Sequence, residues 1–214
     1  MQIFFLSIII CLLCGVSFYL MRKEMEKKET KITGKQWAYL AGMVALNITL
    51  IAFFWYFYGQ TDVMYVLKRV GLAVFVCGIM PVDLKYHRIP NTFILAILIW
   101  RTICLLAELI MQKEGLLGTV LQEIIGAIIF FVVIVLCMVV AKNSIGMGDL
   151  KLVLVIAACQ GLYGVMNTLF IAMIIAFFVA IVLLLTKKKQ RKDTLAFAPC
   201  IMLGLYASLF LMGV

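Results

Sequence analysis

Residues 116–141 read LLGTVLQEIIGAIIFFVVIVLCMVVA, a run in which Glu123 is the one charged residue. A helix that crosses the hydrocarbon core of a bilayer needs roughly 20 mostly apolar residues, and this run supplies them with room for tilt. Comparable stretches occupy roughly 2–21, 37–59, 63–82, 92–111, 149–163, 165–186 and 198–214. Eight spans are therefore expected, within a range of six to eight. The sixth and eighth are short, which implies tilt or local thinning of the bilayer. In the third, Lys68 and Arg69 lie inside the apolar window, and they are expected to snorkel to the outer interface. Of the 214 residues, 66% are hydrophobic, against about 45–50% in a soluble domain, and the mean hydropathy is +1.17. The fold class that follows is all-α, a polytopic transmembrane helical bundle.

The first run begins Met-Gln-Ile-Phe-Phe, without a positive n-region, and no small-x-small cleavage site precedes Arg22. It reads as a retained helix and not as a secretory signal. The longest polar gap is about fifteen residues, too short to bury a core of its own. The chain divides into a two-helix membrane region with a short basic loop, residues 1–62, and a second membrane domain, residues 63–214.

Charge placement sets the orientation. Arg22, Lys23, Lys27, Lys28, Lys31 and Lys35 occupy one gap, and Lys187, Lys188, Lys189, Arg191 and Lys192 another; with Lys85, Arg88, Lys142 and Lys151 they put fifteen of the nineteen basic residues on one side. That side is expected to be cytoplasmic, with both termini outside. The same basic loops are expected to contact anionic lipids. No nucleic-acid motif is present, so nucleic acid is not expected as a partner. The seven cysteines fall in or beside apolar segments. Cys11-x-x-Cys14 lacks a second pair or a nearby His, so the thiols read as small packing groups and no metal or cofactor is expected.

Most acidic residues sit in solvated loops or turns. Asp83, Glu108, Glu123 and Asp149 remain at or inside membrane boundaries, where ionisable groups are costly and are candidates for function. Between Asp83 and Asp149 the chain crosses the membrane twice, along 92–111 and 116–141, so the second aspartate returns to the face where the first lies. Glu108 and Glu123 belong toward the opposite face and make poor partners for either. Two carboxylates about 3 Å apart do not both ionise; they hold one proton between them. The ionised member then serves as a general base on water, and the protonated member polarises a scissile carbonyl. That chemistry requires no metal.

Each aspartate also has a plainer reading. Gly146-Met147-Gly148-Asp149 describes a glycine turn with an Asp N-cap. Asp83 is equally an interfacial residue paired with Lys85 or Arg88. Asp83 opens the run DLKYHRIPN, in which Pro90 disfavours helix at Ile89, so the third span stops before the fourth begins. Their shared depth on one face favours catalysis for the pair.

The run DLKYHRIPN at 83–91 resembles the prepilin-peptidase motif in which an Asp precedes Ile-Pro-Asn by six positions. GMGDLK at 146–151 is similar to that family's G-x-G-D-x-K motif, and Phe197-Ala198-Pro199 with Gly204 to the start of its last helix. The resemblance covers about residues 63–214. It implies a membrane endopeptidase that cuts basic leader peptides from type IV prepilin-like proteins at the cytoplasmic face. Asp83 and Asp149 would be its catalytic pair, with Gly146, Gly148, Lys151, Ile89, Pro90, Asn91 and Pro199 as supporting motif residues. Lys151 lies two residues from Asp149, about 200° around a helix, so direct contact between them is not expected; lipid phosphate or loop packing accounts for it. His87 is expected to have no catalytic role.

Bifunctional members of the family also methylate the new pilin N-terminus, and they carry a large cytoplasmic loop. Here loop 22–36 is short, which implies a peptidase without methyltransferase activity. Cys200 stands where the family usually has an aromatic residue. Two other readings remain distinct from this one. Presenilin-like G-x-G-D peptidases carry a mid-helix Tyr-Asp and a Pro-Ala-Leu; this chain has Val82-Asp83 at a helix end and Ala198-Pro199-Cys200. A transporter would be expected to show midplane polar groups and paired broken helices.

Overall fold

In hydrocarbon an unpartnered backbone N–H or C=O costs several kcal/mol, so an apolar run that enters a membrane closes its hydrogen bonds within itself. The computed structural model describes residues 2–26, 34–58, 62–111, 115–140, 146–186 and 196–212. These form α1 (Gln2–Glu26), α2 (Gly34–Tyr58), α3 (Val63–Tyr86), α4 (Asn91–Ile110), α5 (Leu116–Val140), α6 (Met147–Leu185) and α7 (Ala198–Met212). Helices α1 to α6 are long and apolar enough to cross a membrane, and α7 is a shorter apolar helix. The chain is an all-α, multi-pass helical bundle. Much of the basic loop sequence, residues 27–33 and 187–195 with Lys113 and Lys142, lies outside the described residues.

α3 is the axis of the bundle, with residues 70–79 buried without a break. Its neighbours attach through polar groups that would otherwise be orphaned. Ser17 of α1 donates to the Val74 carbonyl at 3.1 Å, and the Tyr39 hydroxyl of α2 to the Cys77 carbonyl at 2.6 Å. Tyr206 of α7 donates to Asn47 Oδ1 at 3.0 Å. The thiols of Cys14, Cys77, Cys104, Cys159 and Cys200 are buried among the helices, while Cys11 faces outward.

The expected spans 149–163 and 165–186 fall within the single element α6. As a straight rod its 39 residues would reach about 58 Å at about 1.5 Å per residue, nearly twice a hydrocarbon core of about 30 Å. Gly161 interrupts it, at φ 72° and ψ −177°, a backbone conformation essentially confined to glycine. The Thr168 hydroxyl donates to Gln160 Oε1 at 3.1 Å. Eight residues of straight helix span about 12 Å, more than these side chains bridge, so the second limb leans back toward the first. α5 closes on this bend: a Cβ at Gly126 would lie 2.5 Å from the Leu162 nitrogen.

Lys68 does not snorkel. It is buried, 2.8 Å from Glu108 Oε1 and 3.8 Å from Glu123 Oε1. Arg101 Nε donates to Glu123 Oε2 at 2.8 Å, its Nη2 bonds the same oxygen, and its Nη1 lies 3.5 Å from Glu108 Oε2. Two cations and two carboxylates from α3, α4 and α5 thus neutralise one another inside the bundle. Arg69, next in sequence, lies over the Tyr65 ring at 5.0 Å. Pairing wins over snorkelling here because two carboxylates on neighbouring helices already face the same space.

Two outcomes follow for stability in detergent micelles. Gly161→Ala has room for its methyl group, since the nearest atom would be 3.5 Å away. The backbone strain still remains, and it is expected to lower unfolding free energy by about 1–3 kcal/mol; an unchanged denaturation midpoint would contradict the bend. Lys68→Met leaves the buried Glu108 carboxylate with only the longer Arg101 contact at 3.5 Å and is expected to cost about 3–5 kcal/mol. Thermal unfolding checks this, and a loss below about 1 kcal/mol would mean that the ion pairs are effectively solvated.

Candidate active site

α3 stops one turn after Asp83. His87 caps it in the left-handed region, at φ 47° and ψ 44°, where His is among the non-glycine residues better tolerated. Its amide bonds back to the Asp83 carbonyl at 2.8 Å. The chain then runs extended through Pro90, whose φ of −68° and ψ of 136° make it the N-cap of α4. The break expected between the third and fourth spans is present, and it leaves Asp83 in the last turns of α3.

Asp83 is 4% exposed. Its Oδ2 accepts a hydrogen bond from the backbone N–H of Ala198 at 3.1 Å. The reason lies in the sequence of α7: the first amides of a helix have no intrahelical partner, and Pro199, next along, has no N–H to offer. The start of α7 is thereby fixed to the end of α3. Sequence reading marked Pro199 as a helix start but missed the Ala198 amide, because a backbone donor has no residue-type signature.

Asp149 is not the N-cap of α6. Gly146 is the cap, and Asp149 lies in the first turn, half-buried. Its carboxylate folds back toward Gly146, where a Cβ would sit 3.0 Å from Oδ2. The cap position needs extended backbone, and Gly146 supplies it at φ −65° and ψ 125°, which frees the aspartate from capping. Asp83 is the charged group that acts on Asp149 electrostatically. The two aspartates therefore lie at the same end of the bundle, on different helices and within electrostatic reach of each other. Glu108 and Glu123 are engaged elsewhere, in the ion-pair cluster.

The motif residues between the aspartates hold the helices in register. A Cβ on Gly148 would lie 3.1 Å from the Ile89 Cβ and 3.4 Å from its nitrogen, so glycine is what lets the α3–α4 connection lie against the start of α6. One turn on, Lys151 Nζ donates to Asn91 Oδ1 at 3.2 Å. Lys151 does point away from Asp149, as the helical angle required, but its partner is Asn91 at the first position of α4. The connection is further tied to α1 by the Thr92 hydroxyl, 3.1 Å from Glu24 Oε1. His87 is exposed and within electrostatic reach of Asp83.

Gly148→Val tests this contact. Its branched side chain must push Ile89 away, and overpacking of this kind is expected to cost about 1–3 kcal/mol; Gly148→Val unfolding in micelles at the wild-type midpoint would show that the two segments do not touch.

Three segments distant in sequence, 83–91, 146–151 and 197–199, thus converge at one end of the bundle through the Gly148–Ile89, Lys151–Asn91 and Ala198–Asp83 contacts. The type IV leader peptidase family model matches residues 70–181, just over half of the chain, which includes both aspartates and ends before α7. Neither a curated protein nor a solved structure matches the chain. This membrane-spanning chain belongs to the type IV leader peptidase family.

Proposed function

We propose that the protein is an aspartic endopeptidase that removes the leader peptide from type IV prepilin-like proteins at the cytoplasmic face of the bacterial inner membrane. The reading is supported by the position of Asp83 and Asp149 at one end of the bundle within electrostatic reach of each other, one buried and one half-buried. A buried carboxylate beside a second is poorly placed for lipid or solvent and well placed to share a proton. Family membership supports peptidase activity on prepilin-like substrates in general.

In this mechanism a water molecule sits between the carboxyl groups. The ionised member takes a proton as the water oxygen bonds to the scissile carbonyl carbon. The protonated member hydrogen-bonds the developing oxyanion, and proton transfer to the amide nitrogen accompanies C–N cleavage. The Ala198 amide keeps the Asp83 carboxyl group from rotating away. Gly148 and Lys151 hold the start of α6 against Ile89 and Asn91.

A prepilin presents a basic leader followed by an apolar helix. That helix enters laterally from the bilayer and lies along the enzyme's spans, which puts the cleavage point at the membrane boundary where water is present. Residues 63–214 form the peptidase unit, and residues 1–62 contribute two helices and a short basic loop. The excess of Lys and Arg in the gaps 22–36 and 187–193 supports a cytoplasmic active site, exterior termini and contact with anionic lipid. The shortness of loop 22–36 supports cleavage without methylation.

Co-expression with a candidate prepilin, read as a gel shift on leader loss, tests the proposal. Asp83→Asn and Asp149→Asn are each expected to lower processing by at least about 10³-fold while leaving membrane insertion unchanged. Processing that survives either change removes the dyad. Mass spectrometry of the mature N-terminus is expected to show a free amine when this enzyme acts alone; a methylated one would overturn the peptidase-only reading.

A further inference from the structure

α5 is an odd member of the bundle. It is apolar around its circumference, yet among its described side chains the buried ones are Glu123 and Ile134, on the same face as buried Gly126. It lies along α6, and its backbone does not run close against α3 or against α4, its predecessor in sequence. What reaches α3 and α4 is Glu123, through Lys68 and Arg101. Three residues further on, Gly126 lies against the Gly161–Leu162 bend of α6. Glu123 itself is at the same junction, with its nitrogen 3.8 Å from where a Cβ on Gly161 would be.

These contacts form a chain of connections. α3 carries Asp83 at one end and Lys68 at the other, fifteen residues or about 22 Å away. α6 carries Asp149 at the start of its first limb and the Gly161 bend at the end of that limb. At the dyad end the two frames meet through Gly148 and Lys151. At the far end they meet through Glu123, which takes the cations of α3 and α4 on its carboxylate and passes α6 the backbone contact of its own helix.

We propose that Glu123, held by Arg101 and Lys68, is a positioning residue that sets the first limb of α6, and with it Asp149, relative to Asp83. The inference rests on the dyad reading. Core packing of Leu152, Ile156 and Ala157 holds the limb laterally, and a directional hold at each end keeps it from tilting; with the far hold lost, the limb shifts its aspartate. Misplacement of a reacting group by about 1 Å costs on the order of a hundredfold in rate, so the clasp acts on turnover and not on substrate binding. A buried ion pair has the directionality this needs: an apolar contact between α5 and α4 would slide, whereas Arg101 grips one carboxylate oxygen with two nitrogens.

The test compares wild-type protein with Glu123→Gln and Glu123→Asp. Each is purified in micelles, and the folded fraction is taken by size exclusion and assayed on a purified prepilin. Glu123→Gln, normalised to folded protein, is expected to lose between about tenfold and a hundredfold in kcat with KM within about twofold. Glu123→Asp keeps the charge and is expected to recover most of the loss. If Glu123→Gln does not fold, Glu123→Asp decides, since it keeps the charge but shortens the reach to Arg101 and Lys68: a kcat below wild type with KM within about twofold supports the clasp, and a wild-type kcat overturns it. A folded Glu123→Gln with wild-type kcat also overturns it. That result would leave the dyad standing provided Asp83→Asn and Asp149→Asn remain inactive, whereas cleavage by those two variants removes the dyad reading itself.

Discussion

A carboxylate at the end of a buried helix needs a donor, and for Asp83 the donor is the first free amide of α7, 115 residues further along the chain. This one hydrogen bond explains several local features together. Pro199 belongs at the second position of α7, where its missing N–H is no loss. α3 must end soon after Asp83 so that its carboxylate faces outward from the axis toward α7 and α6, and the left-handed His87 with Pro90 ends it. The exit from α3 then lies against Gly148, and the start of α6 carries Asp149 to the same place.

The bundle has two polar regions separated by apolar packing along α3. At one end are the aspartates, with neutralisation left incomplete: no cation is bonded to either carboxylate among the described residues. At the other end Lys68, Arg101, Glu108 and Glu123 balance one another in full. The difference is physical. A closed set of opposite charges with short contacts is a structural device whose members lose heavily when parted. Two carboxylates within electrostatic reach of each other, Asp83 with a single backbone donor, are what the proposed proton exchange needs. Residues of the same chemical type, Glu123 and Asp149, therefore stand in different surroundings on adjoining helices.

The helical class was legible because most of the apolar runs are long enough to cross a hydrocarbon core, and helix bounds at 63, 91 and 116 fall within a residue of the expected ones. The shared face of Asp83 and Asp149 was legible too, because an even number of crossings fixes it without any knowledge of packing. Side-chain partners were not. Lys68 read as a snorkelling residue because its sequence neighbours do not reveal that Glu108 and Glu123 face it from other helices. Lys151 was correctly excluded from Asp149 by helical angle, but nothing in the spacing pointed to Asn91. Asp149 looked like a cap because Asp is a common N-cap; the cap is three residues earlier, at Gly146. The bend at Gly161 falls two residues before the expected boundary between 163 and 165, inside the span expected to be straight.

The central claim is that the side chains at positions 83 and 149 occupy one small space. Direct proximity is best measured by placing cysteines at both positions in a chain whose seven native cysteines have been replaced. The membrane-embedded protein is then treated with a short bifunctional thiol reagent and its peptides mapped. An intramolecular cross-link between 83 and 149, formed at least as readily as one between cysteines at 91 and 151, is the expected result. Efficient cross-linking of 91 to 151 with none between 83 and 149 would contradict the dyad.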